Sequence, residues 1–243
     1  MWRDNLRGIW YIALKDMRTY YLKPPAISWG IIFPVAWILA FYLRNPHSFA
    51  DLVPGLIAMT VLFGTTAMEV VVINFELRIG SLERLVLAPI SLPSVMIGKV
   101  LGGTLFGLII TLLVSLISIL SLGLFHTNAL YLLLILVPSS IVFSAMGSLL
   151  CVLVKEIFEA QTLANVPRFI MTFLCGVFYP ITSLPPVLHQ IAYILPLTYT
   201  VDGLKQALGQ AGDIPIGVDI LVLFAFIPIL LLPATRLLAR QFA

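Results

Sequence analysis

Two ionisable residues stand where charge is expensive. Glu69 and Arg168 both fall inside long apolar runs, Leu52–Phe75 and Ala160–Tyr179. An arginine at the centre of a bilayer costs about 3 kcal/mol on insertion scales, and charges placed there pair with one another or mark a path. Arg168 lies early in its run and Glu69 late in its own, so the two reach similar depth if both runs cross a membrane. That placement predicts an ion pair. The pair either fixes two helices together or sets Arg168 at an inner gate, where it draws an anionic headgroup in. The long arginine stem can also carry the charge toward the surface.

Other chemistry is sparse. There is no Gly-rich loop ending in Lys-Ser or Lys-Thr to cradle a phosphate, so no ATP site is visible and no cofactor is expected on this chain. His47, His126 and His189 are far apart and lie between the apolar runs. Most of the 11 acidic residues sit at run ends, which argues against a catalytic carboxylate pair, a metal site or an intramembrane hydrolase. Cys151 and Cys175 fall inside apolar runs without metal-ligand spacing and read as small buried thiols.

The elements that must position these groups follow from composition. Of 243 residues, 60% are hydrophobic and 10% charged, against about 25% charged in an average soluble domain. A membrane-spanning helix needs about 20 mostly apolar residues. Six runs qualify: Ala26–Leu43, Leu52–Phe75, Val100–Phe125, Ala129–Val154, Ala160–Tyr179 and Ile214–Leu238. The expected fold is all-α, one membrane domain over residues 1–243. Lys and Arg gather in the N-terminal segment, after the second and fourth runs and at the C-terminus. Arg44 and Lys205 alone fall on the other side, which predicts both termini in the cytoplasm of a cell with this chain in its inner (plasma) membrane. The net charge of +3 flanks apolar runs and gives no reason to expect nucleic acid. The first 24 residues are too polar for a cleavable leader.

Three segments outside the runs carry patterns. In residues 1–24, Leu6, Ile9, Trp10, Ala13, Leu14 and Met17 recur at helical spacing, with Arg3, Arg7, Lys15 and Arg18 on or beside the other face. That predicts an interfacial helix against lipid headgroups, ended by Pro24-Pro25; a basic tail is the alternative. Residues 76–92 contain Gly80-Ser81, a helix start with Ser81 as cap, and Pro89 as its end. Between them Leu82, Leu85 and Val86 form an apolar face flanked by Glu83 and Arg84, suited to entering a partner's groove or lying on lipid. Residues 181–213 are half-apolar and broken by Pro185 and Pro196, which predicts one or two short re-entrant helices shielded by protein.

Within the runs, Gly103, Gly107, Thr111 and Ser115 form a stripe of small residues, as do Ser140, Ser144 and Ser148. Such stripes let helix backbones approach closely in lipid, so the third and fourth runs are expected to pack through them; pore lining is the alternative. Trp29, Phe33, Trp37 and Phe41 repeat every four residues, giving an aromatic stripe that faces lipid, a substrate path or a subunit interface.

The chain resembles the small ABC-2-type permeases, the membrane subunits of one class of ATP-binding-cassette exporters of drugs, lipids and polysaccharides. The resemblance covers essentially the whole chain. It rests on Glu76, Gly80-Ser81-Leu82-Glu83, Leu85 and Pro89 after the second run, on Gly176-Val-Phe-Tyr-Pro180 with Leu184-Pro185, and on Pro196-Leu-Thr-Tyr199-Thr-Val-Asp202-Gly-Leu-Lys205. Lys205 stands where relatives often have arginine, and Arg168 belongs to none of these motifs. The resemblance implies that residues 76–92 are a coupling helix touching a separate ATPase, and that the other two motifs build the re-entrant helices. It implies two copies of this chain, two ATPase copies holding ATP and magnesium, and export between the membrane subunits. The apolar, aromatic residues of the expected path favour a lipid, lipid-linked or drug-like substrate, with a polysaccharide second. A stand-alone channel or ion-coupled transporter is the expectation from another class.

Overall fold

The computed structural model describes residues 2–23, 32, 36–37, 39–40, 42–43, 49–88, 90–124, 126–154 and 157–241. Among the described residues the backbone is helical and no strand occurs. The elements are α1 (Trp2–Asp16), a π-helical turn (Met17–Tyr21), α2 (Phe49–Arg78), α3 (Ser81–Val86), α4 (Leu92–Leu122), α5 (Ala129–Val152), α6 (Ile157–Leu174), a 3-10 turn (Ile181–Ser183), α7 (Pro186–Ile194), α8 (Pro196–Ala207) and α9 (Ile216–Gln241).

Four described helices are long and apolar enough to cross a membrane: α2, α4, α5 and α9. The shorter α6, diluted by Glu159, Gln161, Asn165 and Arg168, is not among them, and most of the first apolar run lies outside the described residues. The α2 helix is central: 72% of its apolar window is buried, against 11% for α9. Ile57, Leu62, Ile135, Leu136, Phe143, Leu197, Leu204 and Leu223 tie α2, α5, α8 and α9 into one core.

Two of the boundaries that differ from the apolar runs move charges into helices. The α2 helix continues to Arg78, and α4 begins at Leu92 rather than Val100. Glu76 and Lys99, expected in a connecting loop, therefore lie inside helices and are buried. Gly80, at φ 67°, makes the left-handed turn from α2 into α3, a conformation that glycine adopts without the Cβ penalty. Ser81 is the first residue of α3, and no side-chain cap bond forms there, contrary to the expected capping role.

The N-terminal helix is docked, not merely laid on a surface. Ile12, Ala13, Asp16, Met17 and Tyr21 are buried while Leu6, Trp10 and Tyr11 stay exposed. Its seat is α4, where Gly98 and Gly102 leave room. A Cβ on Gly98 would come within 2.9 Å of the Ile12 Cβ. The apolar residues of α1 thus divide between protein and exterior, where one continuous lipid-facing stripe was expected.

Candidate functional site

Four charges meet where α1, α2 and α4 converge. Lys99 Nζ donates to Asp16 Oδ2 at 2.8 Å and to Glu76 Oε2. Lys15 Nζ donates to Glu76 Oε1 and lies 3.0 Å from Asp16 Oδ1. Asp16, Glu76 and Lys99 are buried, and Lys15 alone reaches the exterior, with 36% of its side chain exposed. Burial holds the Asp16 carboxyl above its usual value, opposed by the neighbouring Lys99. Two ammoniums face two carboxylates, so the cluster is neutral as a whole. Neutrality is what makes its burial tolerable.

Glu69 forms a second polar node deeper in the bundle. Its Oε2 accepts from the Tyr21 hydroxyl at 2.6 Å and its Oε1 from the Ser148 hydroxyl at 2.9 Å. A Cβ on Gly103 would collide with this carboxylate and with the Ser144 hydroxyl, so glycine is what admits Glu69 between α4 and α5. The small stripes do meet at this point, where the Ser144 hydroxyl donates to the Val100 carbonyl at 2.9 Å. Gly107, however, faces Thr65 of α2, so the α4 stripe packs on two helices rather than one.

Arg168 does not pair with Glu69, nor does it reach the surface. It is 1% exposed, between α6 and α2. Its Nε donates to Thr66 Oγ1 at 2.6 Å and its Nη1 to Asn165 Oδ1 at 2.9 Å. Its Nη2 is buried without a hydrogen-bond partner, and no carboxylate lies within ion-pair distance among the described residues. The guanidinium stands 5.9 Å from the centre of the Phe63 ring, which packs edge-on against Phe169. The expected pairing fails because matching depth is only half of the geometry. Glu69 points toward α1, α4 and α5, whereas Arg168 meets α2 from the α6 side.

The short α3 helix is anchored through Leu82, which is 1% exposed in a cluster with Ile73, Val95 and Met96. The apolar knob expected at Leu82 is therefore turned into this chain's own core. Glu83 and Arg84 are exposed, Leu85 is half-buried, and Leu87 just beyond the helix is 85% exposed. Pro89 lies outside the described residues, as do Trp29, Phe33 and Phe41 of the aromatic stripe. Trp37 is half-buried and sits 5.9 Å from Phe178, which in turn is 5.9 Å from Phe173.

The proline-marked motifs of residues 176–205 build two short helices, as the prolines predict. Gly176, at φ 81°, turns the chain after α6; Pro180 precedes the 3-10 turn, Pro185 precedes α7, and Pro196 opens α8. Tyr199 donates to the Tyr193 carbonyl at 2.6 Å. Asp202 accepts from the backbone N–H of Asp213 at 2.7 Å and of Ile214 at 3.1 Å, tying the end of α8 to the approach into α9. Gln206 joins Asp202 to the buried Asp219.

Sequence inspection missed three things. Asp16 carried no signal beyond being one acid in a basic segment. Tyr21, in the segment expected to lie at an interface, is fully buried with its hydroxyl on Glu69. The polar series Gln161, Asn165, Arg168 and Thr172, spaced for one face of a helix, could have been found by periodicity.

Four helices long and apolar enough to cross a membrane mark the chain as an integral membrane protein. The family model described as ABC-2 type transporter matches residues 7–208, and the chain belongs to that family. It is 28% identical over 235 residues to the inner membrane transport permease YadH of Escherichia coli, covering 91% of this chain and 90% of that protein. It is 27% identical over 196 residues to the probable multidrug ABC transporter permease YbhS of the same organism, covering 79% of this chain and 52% of that one.

Proposed function

We propose that this chain is the permease subunit of an ATP-driven exporter, working as a pair of copies with two copies of a separate ATP-binding subunit. ATP and magnesium are held by that subunit. The chain sits in the inner membrane with both termini cytoplasmic and moves a hydrophobic or amphipathic substrate outward. The names of the relatives, an inner membrane transport permease and a probable multidrug permease, support this reading.

The observation that carries it is the build of the loop at residues 79–90. Two exposed charges on a helix anchored in the core by Leu82, with an exposed leucine just beyond its end, make a docking tip. Leu87 supplies the apolar contact, and Glu83 and Arg84 set register. A push on α3 reaches Glu76 through the end of α2 and Lys99 through the start of α4. The charge quartet then passes the displacement to α1. Two packings of similar energy are needed for such a cycle.

Co-purification with the cognate ATPase tests this. Leu87→Asp is expected to abolish the complex while leaving the permease folded, whereas Leu82→Asp unfolds the permease itself. If Leu87→Asp co-purifies with full ATPase stoichiometry, the docking assignment is wrong.

A further inference from the structure

We propose that Arg168 is the head-group site for an anionic amphiphile, whose apolar part lies along the aromatic edge of α6. This rests on the permease reading above and names the charge of its substrate. A guanidinium has five N–H donors. Here Thr66 takes Nε, Asn165 takes Nη1, and Nη2 has nothing although it is buried. Elsewhere in the bundle a buried cation, Lys99, meets two carboxylates. Among the described residues Arg168 has only neutral acceptors, Thr66 and Asn165, and no carboxylate compensates its charge. A buried donor without an acceptor is costly to keep, and a planar fork held by Thr66 and Asn165 is preset for a carboxylate, sulfate or phosphate.

The surroundings fit an amphiphile rather than a small anion. Phe63 and Asn165, which border the guanidinium, are each only partly buried, whereas Arg168 itself is buried. Phe169, which touches Phe63, is the near edge of an exposed apolar face of α6 that continues through Val166, Ile170 and Phe173, around the helix from Arg168. Phe169 leans on Phe63, and Phe173 leads through Phe178 to Trp37. An acyl or aromatic tail along that edge keeps its head at Arg168. Pro167, next to the site, removes one backbone N–H from α6 and leaves a carbonyl of the preceding turn without its helical donor.

The test uses the permease–ATPase complex in nanodiscs of zwitterionic lipid. Dodecyl phosphate and dodecanol are the probes, identical in tail and different in charge. Dodecyl phosphate is expected to bind the unmodified complex at least about tenfold more tightly than dodecanol, and to raise its Tm where dodecanol does not. In Arg168→Met the ratio falls to near one. The thermal measurement needs no variant, so the inference stays testable if Arg168→Met fails to fold. Equal binding of the two probes to the unmodified complex overturns it. So does a preference that survives in Arg168→Met. A loss of self-association in Arg168→Met overturns it as well, because Nη2 would then meet an acceptor on a second copy. Absence of any ATPase partner defeats the permease reading instead, and the probe ratio on the chain alone still decides the role of Arg168.

Discussion

Charge is buried in two ways in this bundle, and the two are opposites. At the junction of α1, α2 and α4, Lys15, Asp16, Glu76 and Lys99 pair charge with charge, although Asp16 Oδ1 has an ion-pair contact and no hydrogen bond. Between α2 and α6, Arg168 stands with a threonine and an asparagine and leaves Nη2 bare. A closed cluster holds elements in register, because removing any member strands another. An open one keeps binding capacity in reserve. The first is where a structural machine stores its connections, and the second is where it can meet something from outside.

The sharpest way to break the comparison is at Lys99. Lys99→Met leaves Asp16 and Glu76 with Lys15 as their one cation. Breaking a buried pair by removing one partner typically costs about 3–5 kcal/mol. The expected outcome is a large fall in Tm and in detergent-soluble yield, and release of α1 to proteolysis. Lys99→Met combined with Glu76→Leu leaves the Lys15–Asp16 pair and is expected to recover most of the loss. If the double variant is no better than the single one, the quartet is not a neutral unit.

Tyr21→Phe is a smaller cut into the closed side. It leaves the stacking on Phe106, at 5.1 Å, and takes one of two donors from the buried Glu69. Losing a partner of a buried polar group costs about 1–3 kcal/mol. A Tm fall smaller than that of Lys99→Met is expected, with the same detergent used for both. An unchanged Tm would mean that Ser148 alone satisfies Glu69.

How much of this was legible in the sequence divides along the same line. The expense of Glu69 and Arg168 could be seen from residue type and position, because apolar runs make charge conspicuous. Their partners could not, because depth follows from counting along a run, whereas direction around the helix depends on which neighbour lies there. Lys99 and Glu76 fall outside the apolar runs because such a run stops at the first charge, while a helix continues if the charge finds a buried partner. Leu82 and Leu87 show the same limit at smaller scale. Both are leucines in an amphipathic stretch, and only the position of Ile73, Val95 and Met96 decides which one faces the core. The two short helices α7 and α8 are easier to read, since Pro185, Pro186 and Pro196 mark helix starts by local chemistry alone.

The smallest expected effect has the opposite sign and separates the two regions most cleanly. Arg168→Met removes a charge that has no ionic partner among the described residues, and replaces it with an unbranched apolar side chain that can follow the arginine stem. Thr66 still donates to the Leu62 carbonyl, so its hydroxyl is not stranded. Asn165 loses one donor but is half-exposed and can turn to other partners. Replacing a buried ionic group by an apolar one of similar volume is often neutral or stabilising. The unliganded permease is therefore expected to gain about 1 kcal/mol, read as a modest rise in Tm in neutral detergent. A substitution that stabilises the empty protein while removing preference for an anionic ligand is the signature of a residue kept for binding. A loss of stability comparable to that of Lys99→Met would instead place Arg168 among the structural charges.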